Sequence, residues 1–147
     1  MRETIYRGKR VDNGEWVIGK NIICFNNSKT GEERFHIMPS GSQISASEDV
    51  DGNVFALLAP ILHVTTSTIG QSTGMTDMNG NEIFEGDIVK TSHGGSTYYA
   101  KIEWDDGSFW VTNHDIQMPS YISEVSKTYL EIIGNIHDNP ELLEVTE

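Results

Sequence analysis

Thr73-Gly-Met-Thr-Asp-Met-Asn-Gly-Asn-Glu-Ile-Phe-Glu-Gly-Asp-Ile-Val-Lys90 is the stretch whose reading decides the fold. Asp77 to Gly80 spells a tight turn between brief strands. Glu82-Ile83-Phe84 leads into the bend Glu85-Gly86-Asp87, and Ile88 opens a further strand. Three more Asn-Gly or Asp-Gly pairs punctuate the chain: Asn13-Gly14, Asp51-Gly52 and Asp106-Gly107. Such pairs are strong hairpin signals, because a type I′ turn needs positive φ at both central residues. No window shows a long 3.6-residue apolar period, so the expected class is mostly β.

Working outward, Thr4–Val11 and Glu15–Phe25 read as a first hairpin, and Arg34–Met38 as a further strand. Residues 39–53 are rich in Ser, Gly and acid, which predicts an exposed, mobile loop. Val54–Ala59 reads as a strand or one helical turn, and Ile61–Thr66 as extended chain. After Lys90, His93-Gly94-Gly95-Ser96 reads as a flexible loop between strands Ile88–Ser92 and Tyr98–Trp104. An Asp-Gly turn leads back through Phe109–Thr112, and Tyr129–Ile136 is the last strand. Asp138 or Asn139 can cap a short C-terminal helical turn that starts at Pro140. This order predicts an SH3-like barrel or roll over residues 68–136. The expected organisation is an N-terminal β-hairpin region, residues 1–67 with the loop 39–53, and an SH3-like region, residues 68–147. Gly80, Gly86, Gly107 and Gly134 are expected to be structural turn or packing residues.

Net charge is −12 over 147 residues, and it is unevenly spread. Residues 1–73 carry seven basic and eight acidic side chains, whereas residues 74–147 carry three and fourteen. The acidic half would repel a phosphate backbone, so tight binding to duplex DNA is not expected. The clustered bases are Arg2, Arg7, Lys9 and Arg10. No apolar run reaches the ~20 residues of a membrane span, and the N-terminus lacks a signal-peptide core. A single cysteine, Cys24, excludes an internal disulfide, and its apolar surroundings predict a buried thiol. Together these features predict a cytoplasmic protein.

The quoted stretch, preceded by Ile69-Gly70-Gln71, and the terminal block Leu130-Glu-Ile-Ile-Gly-Asn-Ile-His-Asp-Asn-Pro-Glu-Leu-Leu143 resemble the YopX family of phage and prophage proteins. Arg7-Gly8-Lys9 and Gly14-Glu15-Trp16-Val17-Ile18-Gly19 are similar to it as well. Ser72 departs from the pattern, which leads one to expect an aromatic residue there. The resemblance implies a β-rich protein with an SH3-like C-terminal half, acting in the host cytoplasm. It implies no cofactor, substrate or catalytic residue.

Chemistry-bearing residues are many, but their spacing is poor. His36, His63, His93, His114 and His137 lack metal-ligand spacing. Asn113-His114-Asp115 is one polar cluster, and Glu85, Asp87, Glu103, Asp105 and Asp106 sit where turns use carboxylates to bind backbone amides. No nucleophile elbow or phosphate loop is present. No catalytic, metal or cofactor site is therefore expected. Strand alternation sends Tyr98 and Tyr99, and likewise Phe109 and Trp110, to opposite faces, freeing one of each pair for contacts. The expected interaction surface comprises Trp16, Ile18, Ile22, Phe25, Tyr98, Tyr99 and Trp110. Its expected partners are further copies of the chain or a host or phage protein, with a nucleic-acid-associated or DNA-mimicking role as the alternative.

Overall fold

A computed structural model describes residues 3–58, 60–113, 117–118 and 129–144 of the chain. Two compact units form, Met1–Ile69 and Gly70–Glu147.

In the first unit the strands are β1 Tyr6–Lys9, β2 Trp16–Asn26, β3 Glu33–Pro39, β4 Ser45–Glu48, β5 Val54–Leu58 and β6 Leu62–His63. Four lie side by side in the order β6-β3-β2-β1, each antiparallel to its neighbours. Directly paired residues share a face, so the register sorts the side chains. The pairs Gly8–Val17, Ile22–Ile37 and Ile37–Leu62 lie on one face. There Val17, Ile37 and Val64 form a small buried core, flanked by Tyr6, Ile22, Phe35, Leu62 and Ile69. The pairs Arg7–Ile18, Lys9–Trp16, Ile23–His36, Phe25–Arg34 and His36–His63 lie on the other. A register shift between Gly19 and Asn21 joins the two halves of β2. Gly19 is obligatory there, because a Cβ would fall 1.9 Å from the Met38 carbonyl oxygen.

Residues 39–53 are exposed along most of their length, as composition suggests, but they are not simply a loop. Ser45–Glu48 pairs antiparallel with Val54–Leu58. Asp49 closes the turn by accepting hydrogen bonds from the amides of Asp51 (3.0 Å) and Asn53 (2.9 Å). Polar composition reported the solvent exposure of Ser45–Glu48; a strand can pair through backbone bonds and a capped turn alone, so β4 left no apolar signature.

The second unit contains β7 Gly70–Thr76, β8 Glu82–Phe84, β9 Asp87–His93, β10 Ser96–Asp105, β11 Ser108–Thr112, β12 Gln117–Met118 and β13 Glu131–Asn135. The hairpin β7–β8 accompanies a five-stranded antiparallel sheet in the order β12-β11-β10-β9-β13. Ile83, Val89, Ala100, Ile102, Val111 and Leu130 are its buried core, with Met75, Phe109 and Ile132 packed against them. The expected flexible loop at His93–Ser96 is a tight two-residue turn. Gly94 and Gly95 take φ of +60° and +83°, and His93 pairs directly with Ser96. Asp106 and Gly107 do the same between β10 and β11, with φ of +45° and +78°. Pro140–Leu143 is a 3-10 turn packed on β10.

Among the described residues this sheet does not close into the expected barrel. The last strand returns to pair with β9, but its outer edge is occupied locally. The amide of Ile132 donates to the Asp77 carboxylate (3.0 Å), and the amide of Met78 donates to the Leu130 carbonyl (2.9 Å).

Candidate interaction surface

The N-terminal part of the expected surface is brought together on one sheet face. Trp16 lies half-buried under the Arg7 guanidinium, 4.7 Å from the ring centre. Ile18 and Phe25 are 44% and 50% exposed. Ile22 is the exception: its pairing with Ile37 turns it to the core face, where it packs against the buried cluster. Strict alternation from Val17 would send Ile22, five residues on, to the opposite face; the shift after Gly19 reverses the phase and hid this from the sequence. Cys24, expected to be buried, is exposed.

Around Phe25 the face is aromatic and imidazole-rich. Phe25 meets His36 edge-on at 5.1 Å, and His36 stacks on His63 at 4.9 Å. Arg34 at the rim bonds Glu32 through two nitrogens, 3.2 Å each, and this pairing holds the Glu32 carboxyl below its usual range.

Beyond this face, the edge of β2 is open. β1 pairs only with Trp16–Gly19, and among the described residues no strand lies beside the outer edge of Asn21–Asn26. The amide of Asn27 donates to the Glu32 carbonyl, and that of Val64 to the Phe35 carbonyl. Antiparallel alternation from those bonds turns the N–H groups of Ile22, Cys24 and Asn26 toward the open edge. Asn21-Ile-Ile-Cys-Phe-Asn26 holds no charge, glycine or proline. It therefore lacks the devices that usually protect an edge.

In the second unit the aromatics divide. Tyr98 shares the face of Ala100 and Ile102 and is half-buried. Tyr99 and Trp110 lie on the opposite face, also half-buried, and the Trp110 indole donates to the Asp105 carbonyl at 2.9 Å. Trp104, 46% exposed and edge-on to Phe109 at 4.7 Å, is a surface aromatic outside the expected interaction surface. Its place at the end of β10, beside the Asp-Gly turn, was the available signal.

The carboxylates serve the backbone and their neighbours. Asp87, 2% exposed, accepts from the Phe84 amide at 2.8 Å. Glu103 accepts from Lys101 (2.8 Å) and the Thr112 hydroxyl (3.0 Å). Asp77, also 2% exposed, gathers the amides of Asn79, Asn81 and Ile132. Burial alone would raise its carboxyl, but these amides outweigh burial and hold it below the usual range. Among the described residues no group of three His, Cys, Asp or Glu side chains is placed to hold a metal, and no helix is long and apolar enough to cross a membrane. His114 and Asp115 of the polar cluster lie outside the described residues.

The sequence matches the YopX protein family over residues 5–144. The chain belongs to the YopX family. Protein EF1440 from Enterococcus faecalis has a similar solved structure, with a TM-score of 0.60 and 25% identity over 95% of this chain and 97% of that one. Protein yopX from Bacillus subtilis is similar with a TM-score of 0.54 and 20% identity, over 99% and 100% of the two chains, a likeness of fold. Among curated proteins none matches.

The motif residues behind the YopX resemblance are placed at turns and packing contacts. Gly80 and Gly86 have φ of +83° and +87°. Gly134 makes a close approach instead, since a Cβ there would fall 2.5 Å from the Asn139 side-chain oxygen. Ser72 is 6% exposed and opposite Phe84, with its hydroxyl 2.5 Å from the Glu82 carboxylate. A polar bond thus occupies the position where an aromatic ring was expected.

Proposed function

We propose that this YopX-family chain is a non-enzymatic protein-interaction and self-assembly module, encoded by a phage or prophage and acting in the bacterial cytoplasm. The observation that carries this reading is the uncharged Asn21–Asn26 edge of β2, uncovered among the described residues and beside the exposed Ile18 and Phe25. Residues 1–73 have nearly balanced charge, with seven bases against eight acids, so copies can approach through them without strong repulsion. The order β13-β9-β10-β11-β12, a meander whose last strand returns beside its first, supports an SH3-like roll for the second unit. Light scattering at micromolar concentration tests self-assembly. A particle of at least twice 16.4 kDa is expected, and a 16.4 kDa particle contradicts it.

A second reading, association with single-stranded nucleic acid, is favoured by one feature. Arg7 over Trp16 and the Phe25–His36–His63 stack share one sheet face, and single strands bind where cations and aromatic rings combine. Fluorescence anisotropy with a labelled single-stranded oligonucleotide tests it. Salt-sensitive binding lost in Trp16→Ala supports it, and no binding at low salt removes it.

A further inference from the structure

We infer that the open edge of β2 is completed by the same edge of a second copy, in an antiparallel pairing centred on Cys24. This rests on the self-assembly reading above and specifies its contact. An edge strand with free N–H and C=O groups is a template for another strand. Here the template is self-complementary. Asn21 and Asn26 bracket four apolar residues, so the segment has the same character in either direction. With no charge in it, two copies meet without like-charge opposition.

Backbone geometry narrows the register. The outward N–H groups belong to Ile22, Cys24 and Asn26, so these residues must form the hydrogen-bonded pairs across the two-fold axis. Pairings that set an outward-facing residue opposite an inward-facing one are excluded. Two registers then keep the overlap central, one centred on Ile23 and one on Cys24. Centring on Ile23 places Phe25 opposite Asn21 of the other copy. Centring on Cys24 places Phe25 opposite Ile23 of the other copy, twice, in the closer non-hydrogen-bonded position. The Cys24 register thus buries more apolar surface, and the half-exposed Phe25 supplies it. It also sets Cys24 directly opposite its counterpart, where paired α-carbons about 5.5 Å apart are within disulfide range.

The charge distribution favours a second copy through this unit. Residues 74–147 carry three bases against fourteen acids, so a contact between two such segments would face strong mutual repulsion. A contact between two β2 edges does not require it.

The test uses the full-length chain, with Cys24 as its sole thiol. Mild oxidation of the wild-type protein is expected to give a covalent dimer on non-reducing gels, absent in Cys24→Ser. By sedimentation velocity, Cys24→Ser should retain the wild-type mass. Cys24→Lys, which opposes two ammonium groups at an exposed position, should halve the mass at the same concentration. An assembly that persists in Cys24→Lys and forms no Cys24 disulfide in wild type overturns this contact while leaving self-assembly standing. A wild-type chain at 16.4 kDa overturns both, and leaves the edge to a strand from another protein.

Discussion

The two units manage their sheet edges in opposite ways. In the second, Asp77 sits beside β13 and accepts the Ile132 amide, and the Met78 amide bonds Leu130. The chain closes that edge with its own turn. In the first, β2 outruns β1, and among the described residues no strand lies beside the outer edge of Asn21–Asn26, whose inner edge pairs with β3. Among the described residues the buried clusters differ as well: six apolar residues in the second unit and three in the first. An edge closed within the chain needs no partner. One left open is a template on which another strand can pair.

The largest expected effect is in the first unit. Gly19→Ala puts a methyl group 1.9 Å from the Met38 carbonyl oxygen, so the β2–β3 register must break. The loss should exceed about 3 kcal/mol, read by thermal or denaturant unfolding. A variant as stable as the parent would remove the bulge from the account.

Next in size is the closed edge itself. Asp77→Ala strands three backbone amides and should cost about 3 kcal/mol. The pH dependence has a fixed sign. The folded carboxyl lies below its ordinary value, so its stabilisation is present above the unfolded pKa, about 3.9, and is lost as pH falls through the folded value. Asp77→Asn should flatten the acid limb of the stability curve. An unchanged acid limb would show that Asp77 does not hold β13 as a charged group.

Smaller effects belong to the turns. Gly80→Ala and Gly107→Ala meet no atom within 4 Å, so their cost is conformational, on the order of 1 kcal/mol each. Melting curves superimposed on the parent would show that the turns relax freely.

Much of the strand order was legible in the sequence because turn chemistry is local. Asn79-Gly80 and Asp106-Gly107 mark chain reversals by what their backbones can adopt, whereas Gly94-Gly95 read as a flexible loop and is a tight turn. The last strand around Ile132 was legible as a strand, but its pairing with β9 in particular was not. What escaped depended on phase or on distant partners. The register shift at Gly19 decides which face Ile22 takes, and a one-residue slip reverses every following side chain. Asp77 looked like a turn residue and is one, but its second oxygen reaches Ile132, 55 positions away. Half of the β4–β5 hairpin was hidden: Ser45–Glu48 is polar and exposed, with no apolar alternation, whereas Val54–Leu58 lies in the stretch read as a strand or one helical turn. The exposure of Cys24 needed knowledge that β2 extends beyond its neighbour.

Amide hydrogen exchange, read residue by residue, compares the two edges most directly. Strong protection is expected at Ile132, bonded within the chain, and at Cys24 in the wild-type assembly. In Cys24→Lys, protection at position 24 should collapse while Ile132 stays protected. Fast exchange at Cys24 in the wild-type protein, with Ile132 protected, would contradict the claim that a second chain closes the open edge.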